Sequence, residues 1–382
     1  MKMAGFHWRR SALALAMLGA AALASSPAGA AGADTEGLSA ATSAHLKAVL
    51  AQSTNEPQFT APGPAIDPAS LKGKLIFSIP LSTAIPFCAV LDRQMAAFAK
   101  KLGIRTEFWQ NDAKLDQWVQ GFTAAAAHKA ALIDVTCGLD PAVIGPQIRQ
   151  AIAAGIPVVA GHNYVLGQKT LPGLAGIVYG NYLEAARLET DWVILQSAGH
   201  ADALVITSPS TANSPYIMKA IAGEFHRYCP GCRYRSLGVN AADWPTKIGP
   251  QVQSAVLANP HLDFVIPIYD GMVQFVVPAI TAAGATARVK VASFNATPAV
   301  LDMIRSGDVV TFDSGEDTTW LAGAILDQDL RVLLGKPLVP DYVAGVRAFT
   351  KANVTATGVP AEWGKGYGTS ALAGYARLWG EK

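Results

Sequence analysis

The chain carries little charge and lacks most of the patterns that announce chemistry. Only 15% of its 382 residues are Asp, Glu, Lys or Arg. It has no GxSxG elbow, no HExxH, no GxxxxGK[ST] and no GxGxxG after a strand, which argues against the common hydrolase, zinc-peptidase and nucleotide-phosphate sites. Its 7 histidines form no i, i+3 or i, i+4 pair, so no helix offers two metal ligands. Cysteine is limited to 4 residues, and beyond the first thirty positions no apolar run reaches the roughly eighteen residues of a membrane helix. Basic blocks are missing as well. The formal charge of +2 includes Lys2, Arg9 and Arg10; without them 27 Lys plus Arg face 28 Asp plus Glu, or −1. A near-neutral chain gives no reason to expect nucleic acid or an anionic membrane surface.

What is present begins with a targeting segment. Lys2, Arg9 and Arg10 precede the apolar stretch "SALALAMLGAAALA", and Ala28-Gly29-Ala30 offers a small-residue cleavage site. Residues 1–30 are therefore expected to be a secretory signal peptide; with no cysteine near the cut, a lipid anchor is not expected. Residues 31–71 form a leader with a short helix over 39–52 and a Pro-rich connector. From Leu75, strands and helices alternate. Strands are expected at 75–80, 105–110, 131–137 and 156–161; after "AGIVYGN" (175–181) the pattern repeats, with strands at 203–208, 232–239, 262–268, 289–294 and 309–313. Helices begin near Pro86, Ala113 and Pro141. "QAIAAGIPVVA" (150–160) and "PAITAAGATARVKVA" (278–292) share a helix end, a glycine stop and a strand. The pattern predicts two doubly wound α/β domains with parallel sheets.

Ligands in such sheets bind beyond the carboxyl ends of the strands. That edge collects Phe87, Trp109, Asn111, Cys137, Asp140, His162, Asn163, Trp244, Tyr269, Asp270 and Asn295. Asn111, Asp140 and Asn295 serve equally as helix caps, and Trp109 equally as a core ring. Phe87 and Trp244 are large rings at helix starts, where they have no capping role, and suit stacking on a flat ligand or a sugar face. A lone His162 with no Ser or Cys partner reads as a hydrogen bonder rather than a base. The motif "CPGC" follows a helix and precedes a strand, away from that edge, so Cys229 and Cys232 are expected to form a structural disulfide. Cys88 and Cys137 either pair or remain small buried residues. No catalytic residue, metal site or cofactor is assigned.

Laid out this way, residues 72–350 resemble the periplasmic sugar-binding proteins of ABC transporters, the ribose-binding-like group. "IPFCAVLDRQMAAFAKKLG" (85–103) is similar to that family's first helix, and "AIAAGIPVVAGHN" stands where the family places ligand-binding polar residues. "YGN" (179–181) resembles the first hinge crossing and "ADW" (242–244) the position of a stacking aromatic. "IPIYDGMVQFVVPAI" is similar to the family's ND-x-M-A segment and "SFNATP" to its FDGTP. The resemblance implies the type I periplasmic binding protein fold, two lobes joined by a three-crossing hinge. The N-terminal lobe would hold 72–180 and 315–337, the C-terminal lobe 181–313 and 340–355, with 356–382 a tail. It implies ligand contacts at Phe87, His162, Asn163, Trp244, Tyr269, Asn295 and Asp313, with Asn181 and Asp270 beside them. The chain departs from sugar binders in placing His162-Asn163 where an Asp-Arg pair is common, and in lacking an arginine in "STANSPYIMKAIAGEF". These changes put a simple pentose or hexose in doubt, and the expected ligand is either sugar-like or a flatter, less hydroxylated cyclic or aromatic compound. The expectation is a monomeric periplasmic solute-binding protein, not an enzyme, partnered by a membrane permease and a chemoreceptor. The alternative is a ligand sensor without transport.

Overall fold

In the computed structural model, residues 37–380 are described; the expected signal peptide lies outside them. Two sheets organise the chain. The first runs in the order β2-β1-β3-β4-β5, from β1 (Leu75–Pro80), β2 (Arg105–Phe108), β3 (Leu132–Thr136), β4 (Val158–Val165) and β5 (Gly176–Gly180), all parallel. The second runs β7-β6-β8-β9-β10-β11, from β6 (Asp202–Thr207), β7 (Arg233–Gly238), β8 (Phe264–Pro267), β9 (Lys290–Phe294), β10 (Val310–Glu316) and β11 (Val346–Phe349). Its first five strands repeat the 2-1-3-4-5 order of the first sheet, so the two halves are copies of one doubly wound unit. Only β11 is antiparallel, against β10.

The central strands are wholly buried and mostly apolar, as parallel strands covered by helices on both faces are, with Ser78, Asp134 and Thr136 as the polar exceptions. Around the first sheet lie α2 (Pro86–Lys101), α3 (Leu115–Ala127), α4 (Gly145–Ala153) and α10 (Thr318–Leu334). Around the second lie α5 (Tyr182–Gln196), α6 (Ser214–Tyr228), α7 (Trp244–Ala258), α8 (Val273–Ala282) and α9 (Pro298–Ser306). α2 illustrates the local logic. Pro86 fits its first turn, where the amide hydrogen has no partner to lose, and Lys100 and Lys101 oppose the dipole at its end. α10 is capped by Asp317, which accepts from the Thr319 amide, and stops at Gly335 in the left-handed conformation.

The chain passes between lobes at Gly180–Asn181, at Glu316–Asp317 and through 335–345. The three passages are bonded together: Tyr179 N donates to Tyr342 O (2.8 Å) and Asp317 N to Gly345 O (3.0 Å). The ends of the chain add two more passages. α1 (Ala40–Ser53) packs on α5 and β11, after which the connector crosses to the first lobe; α11 (Ser370–Leu378) packs back on α10. Phe59 of that connector stacks edge-on against Trp320 and Tyr375, 5.1 and 4.9 Å between centroids.

Several expected boundaries shift. The helices placed near Ala113 and Pro141 begin at Leu115 and Gly145. Ala113 sits at φ 61°, a left-handed turn that delays the helix. β4 runs to Val165 instead of ending at Gly161, so His162 and Asn163 lie inside the strand, where its register against β5 is interrupted. His162 at φ 61° is the irregular residue there. A bulge of this kind re-aims a side chain.

Candidate functional site

Between the lobes lies a small cavity of about 20 Å³, lined by Leu81, Ile85, Phe87, Cys88, Cys137, Gly138 and His162 from the first lobe. Tyr182, Thr211, Trp244, Tyr269 and Asn295 close it from the second. Every one of these except Ile85 is buried. The lining holds four aromatic rings, an imidazole, a disulfide and aliphatic groups, and no Asp, Glu, Lys or Arg. Cys88 and Cys137 are bonded to each other, joining the start of α2 to the turn after β3. Cys229 and Cys232 also pair, in the turn between α6 and β7, and do not line the cavity.

Strain gathers at this place. Among the described non-glycine residues with positive φ, Cys137 (65°), His162 (61°), Asn295 (132°) and Ala296 (50°) line the cavity or adjoin it. Such conformations cost about 1–3 kcal/mol each and persist where the surroundings impose them. The Asn295 side chain makes no hydrogen bond among the described residues, which leaves its amide free toward the cavity.

Of the residues expected to touch ligand, Phe87, His162, Trp244, Tyr269 and Asn295 line the cavity. Trp244 is anchored by its indole N–H on Val239 O (3.0 Å), and its ring lies over Gly271, where a Cβ would come 2.9 Å from Cζ3. The Tyr269 hydroxyl donates to Asn213 Oδ1 (2.5 Å), so that ring presents its face and edge. His162 is also committed through its nitrogens. Nε2 meets Glu316 Oε2 at 2.6 Å and Nδ1 meets the Tyr182 hydroxyl at 2.9 Å. That hydroxyl lies 2.9 Å from both Nδ1 and His162 O, and its single proton serves one of them at a time. His162 is thus a hinge residue whose ring packs 5.3 Å from Phe87, and not a free hydrogen-bonding handle.

Four expected contacts do not line the cavity. Asn163 is fully buried and donates to Leu139 O (2.6 Å). Asn181 serves the hinge: its amide donates to Glu316 Oε1 (2.9 Å) and its side chain to Ala344 O (3.2 Å), bonding all three passages. Asp270 and Asp313 stand behind the 295–297 loop and accept from Thr297 N (2.7 Å) and Ala296 N (3.3 Å). Asn111, on the same edge, caps its own turn through Ala113 N (3.0 Å), and Trp109 donates to Gln117 O (2.7 Å).

Sequence reasoning missed Leu81, Ile85, Gly138, Tyr182 and Thr211 in the lining, and Glu316 beneath it. Strand-end position marks Leu81, Gly138 and Thr211. Tyr182 shows only in three dimensions: a Cβ on Gly180 would fall 2.1 Å from its Cε2, so the glycine makes room for the ring at the first passage.

The family model described as "Periplasmic binding protein domain" matches residues 76–336. The chain belongs to this family. The match spans both sheets as far as α10 and leaves α1, the connector, β11 and α11 outside it. No curated protein matches the sequence significantly. Solved structures share the fold at low identity. A sugar ABC transporter protein from Yersinia enterocolitica aligns at TM-score 0.68 and 15% identity, over 83% of this chain and 98% of that one. A solute-binding protein from Agrobacterium vitis, bound with α-D-tagatopyranose, aligns at 0.66 and 19%, over 74% and 96%. A 5-methylthioribose transporter solute-binding protein from Thermotoga lettingae aligns at 0.65 and 17%, over 81% and 94%. Family and neighbours are binding proteins rather than enzymes. Among the described residues no helix is long and apolar enough to cross a membrane, and no cluster of His, Cys, Asp or Glu could hold a metal ion.

Proposed function

We propose that this periplasmic binding protein is the extracytoplasmic solute receptor of an ABC importer, and that its ligand is a small uncharged ring compound poor in hydroxyls. The observation that carries the reading is the lining of the interlobe cavity, aromatic and aliphatic on both sides and without an ionisable carboxylate, ammonium or guanidinium. Its free volume of about 20 Å³ holds roughly one water, so a ligand ring enters only as the lobes open. Rings on opposite lobes give contact area only when the lobes meet, so binding drives closure about the bonded hinge. The Asn295 amide orients the ligand. The permease recognises the closed form, and the protein acts as a monomer without cofactor.

Thermal denaturation against a panel of sugars, polyols, aromatic acids and neutral heterocycles tests this. Ligand at about a hundred times its dissociation constant adds about 2.7 kcal/mol of stability. Neutral ring compounds are expected to stabilise and hexoses to have little effect. Stabilisation confined to sugars or anions would sink the ligand class, and none from any class would sink the receptor reading.

A further inference from the structure

Behind the cavity-facing Asn295, three carboxyl groups from three different elements meet without a cation. Asp270 precedes α8, Asp313 lies on β10 and Glu189 on α5, each at most 4% exposed. Asp270 and Asp313 are brought side by side because they accept from the consecutive amides of Thr297 and Ala296, and Glu189 repels both electrostatically. Tyr269 faces Glu189, and Tyr367 closes the group from the segment after β11, where it feels Asp313, Glu316, Asp317 and Arg347. Asp270 Oδ2 and Asp313 Oδ1 accept from the amides of Thr297 and Ala296; Asp270 Oδ1 and Asp313 Oδ2 have no partner among the described residues. A proton held between the two carboxyls supplies what both unpartnered oxygens lack. Two bare carboxylates there would repel each other in a buried site.

We propose that Asp270 and Asp313 act as a proton-sharing pair that positions the ligand-binding loop, so that Asn295 is held toward the cavity only while the pair carries a single negative charge. The loop needs such a holder, because Asn295 at φ 132° and Ala296 at φ 50° are consecutive residues in conformations unfavourable to side chains. One charge is the best-fitting state. The Asp270 carboxylate then accepts two hydrogen bonds, from Thr297 N and from the Asp313 hydroxyl, while Asp313 still accepts from Ala296. With no charge, the Thr297 bond loses its charge assistance. With two charges, the carboxylates separate and draw the amides of 296 and 297 apart. The loop is therefore ordered in a window bounded by two titrations of the pair, as for any two carboxyls that share one proton.

Burial raises both groups, Asp270 to about 6 and Asp313 well above the carboxylate range, which orders the steps. This inference rests on the cavity being the ligand site, but its test reads backbone amides without any ligand. A flat titration leaves the ligand panel standing, and a failed panel leaves the titration standing. In protein labelled at Ala and Thr nitrogen, the Thr297 amide proton should move upfield on acidification through about pH 6. Both the Ala296 and Thr297 signals should move again, or broaden, at a second, higher step. Asp313→Asn keeps a donor to Asp270 and cannot ionise, so it should retain the lower step and lose the upper. Carboxyl carbon shifts of Asp270 and Asp313 in the wild-type protein give the same two steps should that variant fail to fold. Amide and carboxyl signals that stay flat from about pH 4.5 to 9.5, or an upper step that survives in Asp313→Asn, would overturn the proposal.

Discussion

Replacing Glu316 by alanine should loosen the hinge at its centre. The carboxylate is fully buried, and its two oxygens meet His162 Nε2 at 2.6 Å and the Asn181 amide at 2.9 Å. Alanine leaves both nitrogens without a partner. A buried N–H stripped of its acceptor costs about 1–3 kcal/mol, and breaking a buried acid–base pair costs about 3–5 kcal/mol in comparable cases. The expected loss is about 3–5 kcal/mol, a large share of the roughly 5–15 kcal/mol that stabilises a typical domain. Glu316→Gln should recover more than half of it. Its carbonyl still accepts from the Asn181 amide, and its amide can donate to Nε2 once the ring proton moves to Nδ1, where the Tyr182 hydroxyl oxygen can accept it. Urea unfolding followed by both circular dichroism and tryptophan fluorescence gives the free energy where the two transitions coincide. A loss below about 1 kcal/mol in the alanine variant, or a glutamine variant as weak as alanine, would refute this account of the hinge.

Three further outcomes are expected. Stability should fall as pH rises from about 4 to 7. Burial raises Asp92 from 3.8 to about 7, and Asp134 and Asp329 well above 3.8, so the folded state holds these protons more tightly. Asp92 alone contributes about 4 kcal/mol, fully present below its unfolded pKa and lost as pH rises through about 7. Denaturant midpoints from pH 4 to 8 read this, and Asp92→Asn should flatten the slope. Removing the Cys88–Cys137 bond, 49 residues apart in sequence, should cost about 4 kcal/mol by chain entropy, against about 2 kcal/mol for Cys229–Cys232, 3 residues apart. Double Cys→Ala variants compared in urea check the order. Gly271→Ala should weaken ligand binding about tenfold or more by pushing a methyl into the Trp244 ring, with little change in the affinity of any probe that does not touch Trp244.

The doubly wound architecture was legible because alternating apolar runs and helix starts are local signals, and because parallel strands such as "LIFSIP" and "ALIDVTC" are mostly apolar. The edge rule then reached six lining residues, Cys137 among them, since a large ring at a helix start, such as Phe87 or Trp244, has no other local purpose. It could not tell lining from support. Asn181, Asp270 and Asp313 occupy the same edge, yet they hold a passage or a loop from behind. Nothing local distinguishes a carboxylate that faces ligand from one that accepts a backbone amide thirty residues away in sequence. His162 misled for a related reason: its partners, Tyr182 and Glu316, come from passages that meet only in the folded hinge. The antiparallel β11 and the return of α11 to the first lobe depend on contacts between distant segments, and short runs such as "VRAF" carry no direction.

The central claim is that an uncharged ring compound binds between the lobes against Trp244. Calorimetric titration of the strongest stabiliser from the panel, into wild-type protein and Trp244→Ala at several temperatures, tests it most directly. The account predicts one site per chain, a negative heat-capacity change from apolar burial, and affinity reduced about a hundredfold or more in the variant. Equal affinity in Trp244→Ala, or binding without a heat-capacity change, would contradict it.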